Sequence, residues 1–446
     1  FAPVFLNTRA AKLCSDFCHR IIEPVLYSTV LTTDIQMEMH DPDTESRKPV
    51  LEQEMWTAYT TVMQQFADVV KENYEDGDVI WIDGYHLMYL PKLIRRLLPD
   101  ATIGFSLNAP FPTSEIFLIL PKREELLHGL LSCDLIGLQS LGYARHLTST
   151  CMRLLGCSFT PKQINFHGQS VDINIFPKGV SLNVTASIQR RPTVKSKVAE
   201  LKSLFGTRFV FLNVARPDKD GGVIHALFGF EEFCAMQNKS VSERAVFVQI
   251  SILSTGMSEG ARDRQTEMSI SRVAGRINGK YSKMGTNGPI FYLQQNAHVS
   301  MDEVYALYEI ADCVVTTPLH FGLPLVPSEY ILCRKNRQLP GVVIISEFLP
   351  SAEGLGGALR VNPYDTEGIA RMMAKAILMG KEERERTSNT ILSYVRTYTS
   401  HRYMKQFSED LFGHVTTRQI PNYLRKLDSF DFMRSISQVW TQSSGH

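Results

Sequence analysis

The 446-residue chain lacks the compositional marks of several protein classes. Its 47 lysines and arginines nearly balance 46 aspartates and glutamates, so the net charge of +1 gives no electrostatic argument for binding nucleic acid or a membrane surface. No run approaches the roughly 18 apolar residues of a spanning helix, and no signal peptide is visible. What remains is the composition of a soluble globular protein, with a length that favours two or three domains.

Clustered cysteines are also missing. The eight cysteines are scattered, and no two close pairs follow one another as zinc sites require. Cys14 and Cys18 could share one face of a helix, but nothing else indicates a metal site. Scattered cysteines in a long chain are typical of buried apolar thiols in a reducing compartment, so we predict a cytoplasmic protein without a metal.

Short apolar runs alternate with longer segments of helical spacing along most of the chain. We predict strands over residues 78–83, 101–107 and 135–138, and later over 209–214, 245–252, 290–293, 313–315 and 342–346. The segments between them have helical spacing, including one helix over 114–131. This alternation is typical of parallel sheets covered on both faces. The predicted class is α/β, with two Rossmann-like, doubly wound lobes facing a central cleft.

The pattern also predicts domain boundaries. A polar stretch over residues 185–197 separates the two series of elements, so we place an N-terminal lobe at 1–184 and a C-terminal lobe at 185–413. Residues 414–446 are predicted to form a tail that crosses back to the first lobe. The chain starts in helical sequence, so we expect the N-terminal lobe to lack its first strand and glycine loop.

Residues 316–330, TTPLHFGLPLVPSEY, have the strand–loop–helix order of a phosphate-binding site, but several of the residues do not suit a phosphate. An apolar run leads into a loop with one glycine, and a segment that can open a helix follows. In α/β proteins this layout places backbone N–H groups and the positive end of a helix where phosphates bind. Pro324 and Pro327 have no N–H to offer, and Phe321 stands where a polar group is expected.

Several stretches together resemble the trehalose-6-phosphate synthases, which form glycosyltransferase family 20. They are residues 80–117 (IWIDGYHLMYLPKLIRRLLPDATIGFSLNAPFPTSEIF), 274–281 (AGRINGKY), 316–330 and 341–365. The resemblance runs from about residue 3 to about residue 413 in the family's order, and it implies the GT-B fold. Active members transfer glucose from UDP-glucose to glucose 6-phosphate with retention and without a metal, so we expect no cofactor.

The resemblance implies that five functional positions hold unsuitable residues. The aspartate that contacts the acceptor sugar is Gly84, and the histidine beside the transferred sugar is Asn108. In the second lobe, Gly221 and Thr255 replace the lysine and arginine of the diphosphate site, and Phe321 replaces a carboxylate that accepts sugar hydroxyls. One contact to charge in a transition state contributes roughly 3 kcal/mol, or about a hundredfold in rate. Together these losses predict a domain that kept the fold and lost the chemistry.

A smaller set of positions could still hold a ligand. Trp56 matches an acceptor-side tryptophan, Arg216 matches a diphosphate arginine, and Glu329 matches the ribose-binding glutamate. Lys219 lies two residues before the vacant lysine position. With these we group the loop positions Gly322, Leu325 and Val326. They predict at most weak binding of UDP-glucose or a sugar phosphate, and Arg216 and Glu329 could equally serve as structural ion-pair or capping groups.

We therefore predict a catalytically inactive synthase-like domain that acts as a regulatory or structural subunit of a trehalose synthase complex, as in fungi. Its expected partners are the catalytic trehalose-6-phosphate synthase and the trehalose-6-phosphate phosphatase, without nucleic acid or membrane. Two alternatives stay open. One is an active glycosyltransferase, with the family's substrates or with an altered donor or acceptor. The other is a sensor that binds a sugar phosphate without turnover.

Overall fold

The computed structural model describes residues 2–28, 48–218, 220–237, 244–252, 261–282, 288–294, 300–319, 324–334, 339–349 and 351–416. The chain divides into two compact units, with Phe1–Lys178 and Tyr403–His446 in the first and Gly179–Arg402 in the second. Within the described residues, no helix combines the length and apolar character needed to cross a bilayer.

This division differs from the expected boundaries at two places. The chain enters the second unit at Gly179 rather than at 185, and residues 403–413 lie with the first unit rather than the second. The stretch 185–197, expected to separate the lobes, lies inside the second unit, mostly in two helices, Leu182–Gln189 and Pro192–Phe205. Val194 and Val198, one turn apart, are buried in the second unit's core, which explains why this polar stretch folds with that unit.

The first unit contains a six-stranded sheet and its covering helices. Its strands are β1 Val79–Asp83, β2 Thr102–Ser106, β3 Leu135–Leu138, β4 Ser158–Thr160, β5 Gln163–Phe166 and β6 Gln169–Ile175. Its helices are Thr8–Phe17, Glu23–Leu26, Lys48–Asn73, Leu90–Leu97, Ser114–Phe117, Arg123–Leu130 and Leu141–Leu155, with a π-helical turn at Cys18–Ile22 and a 3₁₀ turn at Tyr85–Leu87. The strand order is β1-β2-β3-β6-β5-β4, in which β1, β2, β3 and β6 are parallel and β4, β5 and β6 form an antiparallel meander.

The single helix predicted over 114–131 is wrong, because the structure has two short helices there. Pro121 lies between them and has no N–H to continue the first helix. Lys122 then adopts a left-handed conformation with φ 56°, which turns the chain before Arg123–Leu130 begins.

One face of the first sheet is covered by the helix Ser400–Thr416, from the far end of the chain. Phe407 is fully buried and stacks on Trp81, with ring centroids 4.3 Å apart. The strands make room for this helix with glycines, because a Cβ at Gly104 or Gly137 would lie 2.9 or 2.8 Å from side-chain atoms of the helix or its neighbours. The close packing of this helix therefore depends on glycine at both strand positions.

The second unit is a six-stranded parallel sheet with helices on both faces. Its strands are β7 Phe209–Ala215, β8 Ala245–Ser251, β9 Ile290–Gln294, β10 Cys313–Thr316, β11 Val342–Ser346 and β12 Leu359–Val361, in the order β12-β11-β10-β7-β8-β9. Its remaining helices are Val223–Met236, Ala261–Tyr281, Met301–Ile310, Val326–Arg334, Ser351–Gly354, Thr366–Leu378 and Lys381–Thr397. Two separate apolar clusters lie on the two faces, which explains the near-continuous apolar sequence of these strands.

An aspartate–arginine pair joins strands and helices at the amino edge of the first sheet. Asp134 directly precedes β3, and its Oδ2 accepts the Ile103 N–H of β2 at 2.8 Å and Arg95 Nη2 at 2.9 Å. The same guanidinium donates to three backbone carbonyls, those of Pro99, Ala101 and Ser132. We call this arrangement a clasp, because one side-chain pair fixes a strand, its neighbour and a helix.

The second sheet carries a matching clasp. Asp312 directly precedes β10, and its carboxylate accepts the Val210 N–H of β7 at 3.0 Å and Arg334 Nη2 at 3.3 Å. Arg334 also donates to the carbonyls of Glu309 and Leu339. Both clasps compensate the charge of the aspartate with a guanidinium and satisfy a strand-end N–H.

We expect Arg95→Ala to lower the stability of the first unit, since it leaves the Asp134 carboxylate, whose side chain is 12% exposed, without its charge partner. The expected loss is roughly 3 kcal/mol of unfolding free energy. The control is Arg371→Ala, because the Arg371 side chain is 55% exposed and its ion pairs lie in solvent. Calorimetric unfolding should show a lower midpoint only for the Arg95 variant, and equal midpoints would contradict the clasp.

Candidate functional site

Polar side chains meet where the first three strands of the first unit end. Asp83 is the last residue of β1, and its Oδ1 accepts hydrogen bonds from Ser106 Oγ at the end of β2 and from Asn108 Nδ2 just beyond it. Trp81 Nε1 donates to the Ser106 hydroxyl oxygen at 2.9 Å. Because all these strands run parallel, their carboxyl ends bring the residues to one edge of the sheet, where α/β proteins place their sites.

The chain of hydrogen bonds continues into residues that the sequence did not single out. Gln139, which directly follows β3, donates from Nε2 to Asn108 Oδ1 at 2.8 Å, and its own Oε1 accepts the Lys178 N–H at 2.8 Å. Asn108 is thus fixed at both ends of its amide. We call Asp83, Ser106, Asn108 and Gln139 the edge chain. A signal for Gln139 was available, since it follows its strand as Asn108 follows β2.

Lys178 brings the side chain of a basic residue to this region, which the sequence analysis also missed. Burial lowers the pKa of its ammonium group, and the negative charge of Asp83 opposes that shift. Tyr403 lies near the same carboxylate, and burial, followed by the charge of Asp83, raises the pKa of its phenol. The edge of the first sheet therefore combines one carboxylate with a half-buried lysine and a buried phenol.

Gly84, which replaces an aspartate in the resemblance, has a backbone that suits glycine. Its φ is +97°, a conformation that L side chains rarely adopt, although the space around a Cβ is open, with His86 Nδ1 nearest at 3.9 Å. A side chain here would be disfavoured by backbone strain rather than by crowding. Gly84 has no side chain that could contact an acceptor sugar. Its backbone conformation also disfavours a residue that has one.

The residues after Gly84 turn toward the first helices. Tyr85 donates its hydroxyl to Glu23 Oε2 at 2.9 Å, and His19 Nδ1 lies 2.7 Å from the same oxygen. Burial raises the pKa of Tyr85 and lowers that of His86, whose ring stacks on Tyr85 with centroids 3.9 Å apart. Tyr85 and His86 thus serve contacts within the unit.

Trp56 lies on the helix Lys48–Asn73, among aromatic side chains. Its ring centroid lies 5.5 Å from that of Phe17, 5.7 Å from that of Tyr59 and 5.3 Å from that of Tyr89. Aromatic pairs at these separations stabilise a core. Trp56 therefore packs with aromatic rings of the same unit, and its side chain is half-buried.

In the second unit, Arg216 directly follows β7 and is held by its own loop. Its Nε lies 2.8 Å from Asp218 Oδ2, and Asp218 Oδ1 accepts the Gly221 N–H at 2.6 Å. The carboxylate compensates the guanidinium charge and also uses a loop N–H that could otherwise face an anion. Lys219 lies outside the described residues.

Two glycines fix the path of this loop. A Cβ at Gly221 would lie 2.3 Å from the carbonyl oxygen of Arg216, and a Cβ at Gly222, where φ is +67°, would lie 1.7 Å from the carbonyl oxygen of Thr317. Both neighbours are backbone atoms, which cannot move aside cheaply. The loop conformation thus excludes any side chain at 221, the position at which the resemblance implies a lysine.

Glu329 lies on the helix Val326–Arg334 and turns toward the core. It accepts a hydrogen bond from the fully buried Tyr308 hydroxyl at 3.2 Å. Burial raises the pKa of Glu329, and the Tyr308 hydrogen bond opposes that shift. Leu325 and Val326 pack against the same apolar cluster. Glu329 is thus hydrogen-bonded within the unit, and its match to the ribose-binding glutamate stays a prediction.

Three of the remaining predicted positions, Thr255, Phe321 and Gly322, lie outside the described residues. Within the described part of the chain, no group of three or more histidine, cysteine, aspartate or glutamate side chains is placed to hold a metal ion.

Comparison with known proteins shows which family has a sequence similar to this chain. The family model described as "Glycosyltransferase family 20" matches residues 1–412. The alpha,alpha-trehalose-phosphate synthase A of Dictyostelium discoideum is 34% identical over 87% of this chain, which spans only 51% of that protein.

Solved structures agree with this match. The N-terminal domain of the Candida albicans trehalose-6-phosphate phosphatase has a TM-score of 0.82 and 29% identity, covering 93% of this chain and 84% of that one. The trehalose-6-phosphate synthase OtsA has a TM-score of 0.81 and 25% identity, covering 93% and 85%. These likenesses confirm the GT-B fold class and the family resemblance predicted from the sequence.

We expect Gly221→Ala to destabilise the second unit, because even one methyl group meets the Arg216 carbonyl oxygen. The expected cost is about 1–3 kcal/mol. The matched control is Gly275→Ala, since nothing lies within 4 Å of a Cβ at that helical position and alanine favours a helix. Thermal unfolding should show a lower midpoint for the first variant and an unchanged or higher midpoint for the second. Equal midpoints would show that the loop adapts to a side chain.

Glu329→Gln tests the burial of that carboxyl through its pH dependence. Because burial raises the pKa of Glu329 above its ordinary value of 4.5, the stability it contributes is full below that value and is lost as pH rises through the folded pKa. Glutamine imitates the neutral carboxyl. The variant should match the unsubstituted protein at about pH 4 and exceed its unfolding free energy at neutral pH. For the exposed control Glu347→Gln, the difference in unfolding free energy from the unsubstituted protein should be the same at both pH values. An equal increase toward neutral pH in both variants would show that the effect does not come from the Glu329 carboxyl.

Proposed function

This chain belongs to glycosyltransferase family 20, and we propose that it is a catalytically inactive trehalose-6-phosphate synthase-like domain. In this proposal it acts as a regulatory or structural subunit of a complex that makes trehalose. Its partners are a catalytic trehalose-6-phosphate synthase and a trehalose-6-phosphate phosphatase.

The observation that carries the proposal is the loop at Gly221. Transfer of glucose from UDP-glucose requires that the departing diphosphate be neutralised by positive charge. At Gly221 the charge is absent, and the contact of a Cβ with the Arg216 carbonyl oxygen at 2.3 Å leaves no room for a lysine in this conformation. The neighbouring arginine is already paired with Asp218 at 2.8 Å. Among the described residues of this loop, a leaving diphosphate thus meets no lysine at 221 and an arginine that is already paired.

The first unit supports the same proposal independently. Gly84 has no side chain for an acceptor sugar, and Asn108 is fixed between Asp83 and Gln139. An amide fixed in this way can still donate its second N–H, but it cannot act as an acid or a base. If each lost contact is worth about a hundredfold, the combined loss is severe even though such groups are not additive.

The proposed partners follow from the kinds of protein that share the fold. A domain similar to this chain forms the N-terminal part of a trehalose-6-phosphate phosphatase, and other relatives are synthases. A fold that occurs in both could join such proteins through shared surfaces. The intact cores and clasps of both units suit a subunit whose role is to hold its shape.

The first test is turnover. Purified protein incubated with UDP-glucose and glucose 6-phosphate should release UDP no faster than the buffer blank, because Gly221 supplies no charge and Arg216 is paired with Asp218. An active trehalose-6-phosphate synthase assayed alongside it serves as the positive control. Turnover at a rate near that of the control would overturn the proposal of inactivity.

Two further measurements separate the remaining possibilities. Sedimentation velocity of the chain mixed with an active synthase and a phosphatase should show a complex larger than any component, and separate boundaries would contradict the subunit role.

Calorimetric titration with UDP-glucose should give little or no heat. Tight binding without turnover would instead favour a ligand sensor, and tight binding with turnover of another acceptor would favour an enzyme of altered specificity.

A further inference from the structure

Two buried amides lie next to each other in the sheet of the second unit. Asn213 of β7 pairs in register with Gln249 of β8, and both side chains have 0% exposure. Neighbouring strands lie about 4.8 Å apart, so residues paired on one face hold their side chains side by side. The two amides therefore meet inside the unit, away from solvent.

The face of the sheet on which these amides lie is mostly apolar. Phe211 and Phe247 precede them by two residues on the same strands, and both belong to one apolar cluster. Alternate residues of a strand point to the same face, so the amides face that cluster too. The helices Val223–Met236, Ala261–Tyr281 and Thr366–Leu378 contribute side chains to it. The amides are thus enclosed between the sheet and its covering helices.

Three polar atoms of these amides have no hydrogen-bond partner within the part of the chain that the structure describes. They are Nδ2 and Oδ1 of Asn213 and Oε1 of Gln249. Exchanging the nitrogen and oxygen of the Asn213 amide changes nothing, because both ends are unpaired. Gln249 is oriented by its Nε2, which donates to the Ile250 carbonyl oxygen at 2.9 Å. The unpaired atoms therefore do not result from an amide placed the wrong way round.

The next polar side chains on this face have partners. Tyr292 of β9 pairs in register with Gln249, and its hydroxyl oxygen accepts a hydrogen bond from Ser251 Oγ at 3.3 Å. Ser251 is also fully buried. The hydroxyl groups of this face thus bond to each other, whereas the two amides leave three atoms to be satisfied by something else.

Burial makes unpaired amide atoms costly. Such a group loses its hydrogen bonds to solvent on folding and gains none in return. Buried polar groups of native proteins are accordingly bonded either to protein atoms or to ordered water. Water is small enough to be enclosed in a packed interior, and it can both donate and accept.

We propose that the amides of Asn213 and Gln249 form a buried water-binding site between the second sheet and its helices. The bound water accepts an N–H from Asn213 Nδ2 and donates O–H groups to Asn213 Oδ1 and Gln249 Oε1. Because β7 leads directly into the loop that begins at Arg216, this water links the strand before that loop to its neighbour β8. The proposal holds whether or not the domain is catalytically active.

The first test is a crystal structure of the unsubstituted chain at a resolution that shows ordered water. We expect electron density for water within about 2.7–3.2 Å of the Asn213 amide and of Gln249 Oε1. A map without water at this place, or a direct hydrogen bond between the two amides, would overturn the proposal. Because this measurement needs no variant, misfolding of a variant cannot obscure it.

The second test is Asn213→Leu, since leucine has nearly the shape of asparagine and no polar side-chain atom. If water joins the amides, the variant loses it and leaves Gln249 Oε1 unpaired, so we expect a lower midpoint of thermal unfolding. If the Asn213 amide has no partner at all, leucine removes two unpaired atoms and the midpoint rises. A raised midpoint would therefore contradict the proposal.

The control for this variant is Asn389→Leu, at an exposed position of the helix Lys381–Thr397. The same exchange of side chains should change the midpoint little there, because solvent satisfies the amide before and after unfolding. A crystal structure of Asn213→Leu should also lack the density for water that the unsubstituted chain shows beside Gln249 Oε1. Density that persists unchanged would show that the Asn213 amide does not hold this water.

Discussion

The two halves of this molecule depend on the same interaction, an aspartate placed directly before a strand and clasped by an arginine from a helix. Asp134 and Asp312 each accept the N–H of a neighbouring strand and pair with Arg95 and Arg334. The clasp fixes the amino edge of each sheet, where strand ends would otherwise present unpaired polar groups. With that edge fixed, the register of the parallel strands is set, and the opposite edge can carry irregular loops.

The two units differ at the carboxyl edges of their sheets, whereas both carry a clasp at the amino edge. In the first unit, polar side chains at the ends of successive strands bond to one another and form the edge chain. In the second unit, Asp218 pairs with Arg216 and accepts the Gly221 N–H. Groups that could serve a ligand are thus used to stabilise the protein itself.

The sequence predicted most of the fold and little of the site, for a physical reason. The strands Leu135–Leu138 and Val342–Ser346 were predicted with their observed bounds, because an apolar run is a local signal. The polar stretch 185–197 was interpreted as the boundary between the lobes, although Val194 and Val198 have the spacing of a buried helical face. The clash at Gly221 could not be predicted, since it depends on a carbonyl five residues away in an irregular loop. The position of Gln139 after its strand was a usable signal, but its hydrogen bonds to Asn108 and Lys178 join residues far apart in the sequence.

The packing of the helix Ser400–Thr416 on β2 and β3 bears on how the protein is made. Tyr403, Phe407 and Leu411 fill a face of the first sheet that Gly104 and Gly137 leave open, and they emerge from the ribosome after the entire second unit. The nascent first unit must therefore wait, with an apolar sheet face uncovered, while about two hundred further residues are synthesised. Chaperones that shield such surfaces have their longest opportunity there, and fragments ending before Tyr403 inherit the same exposed face permanently.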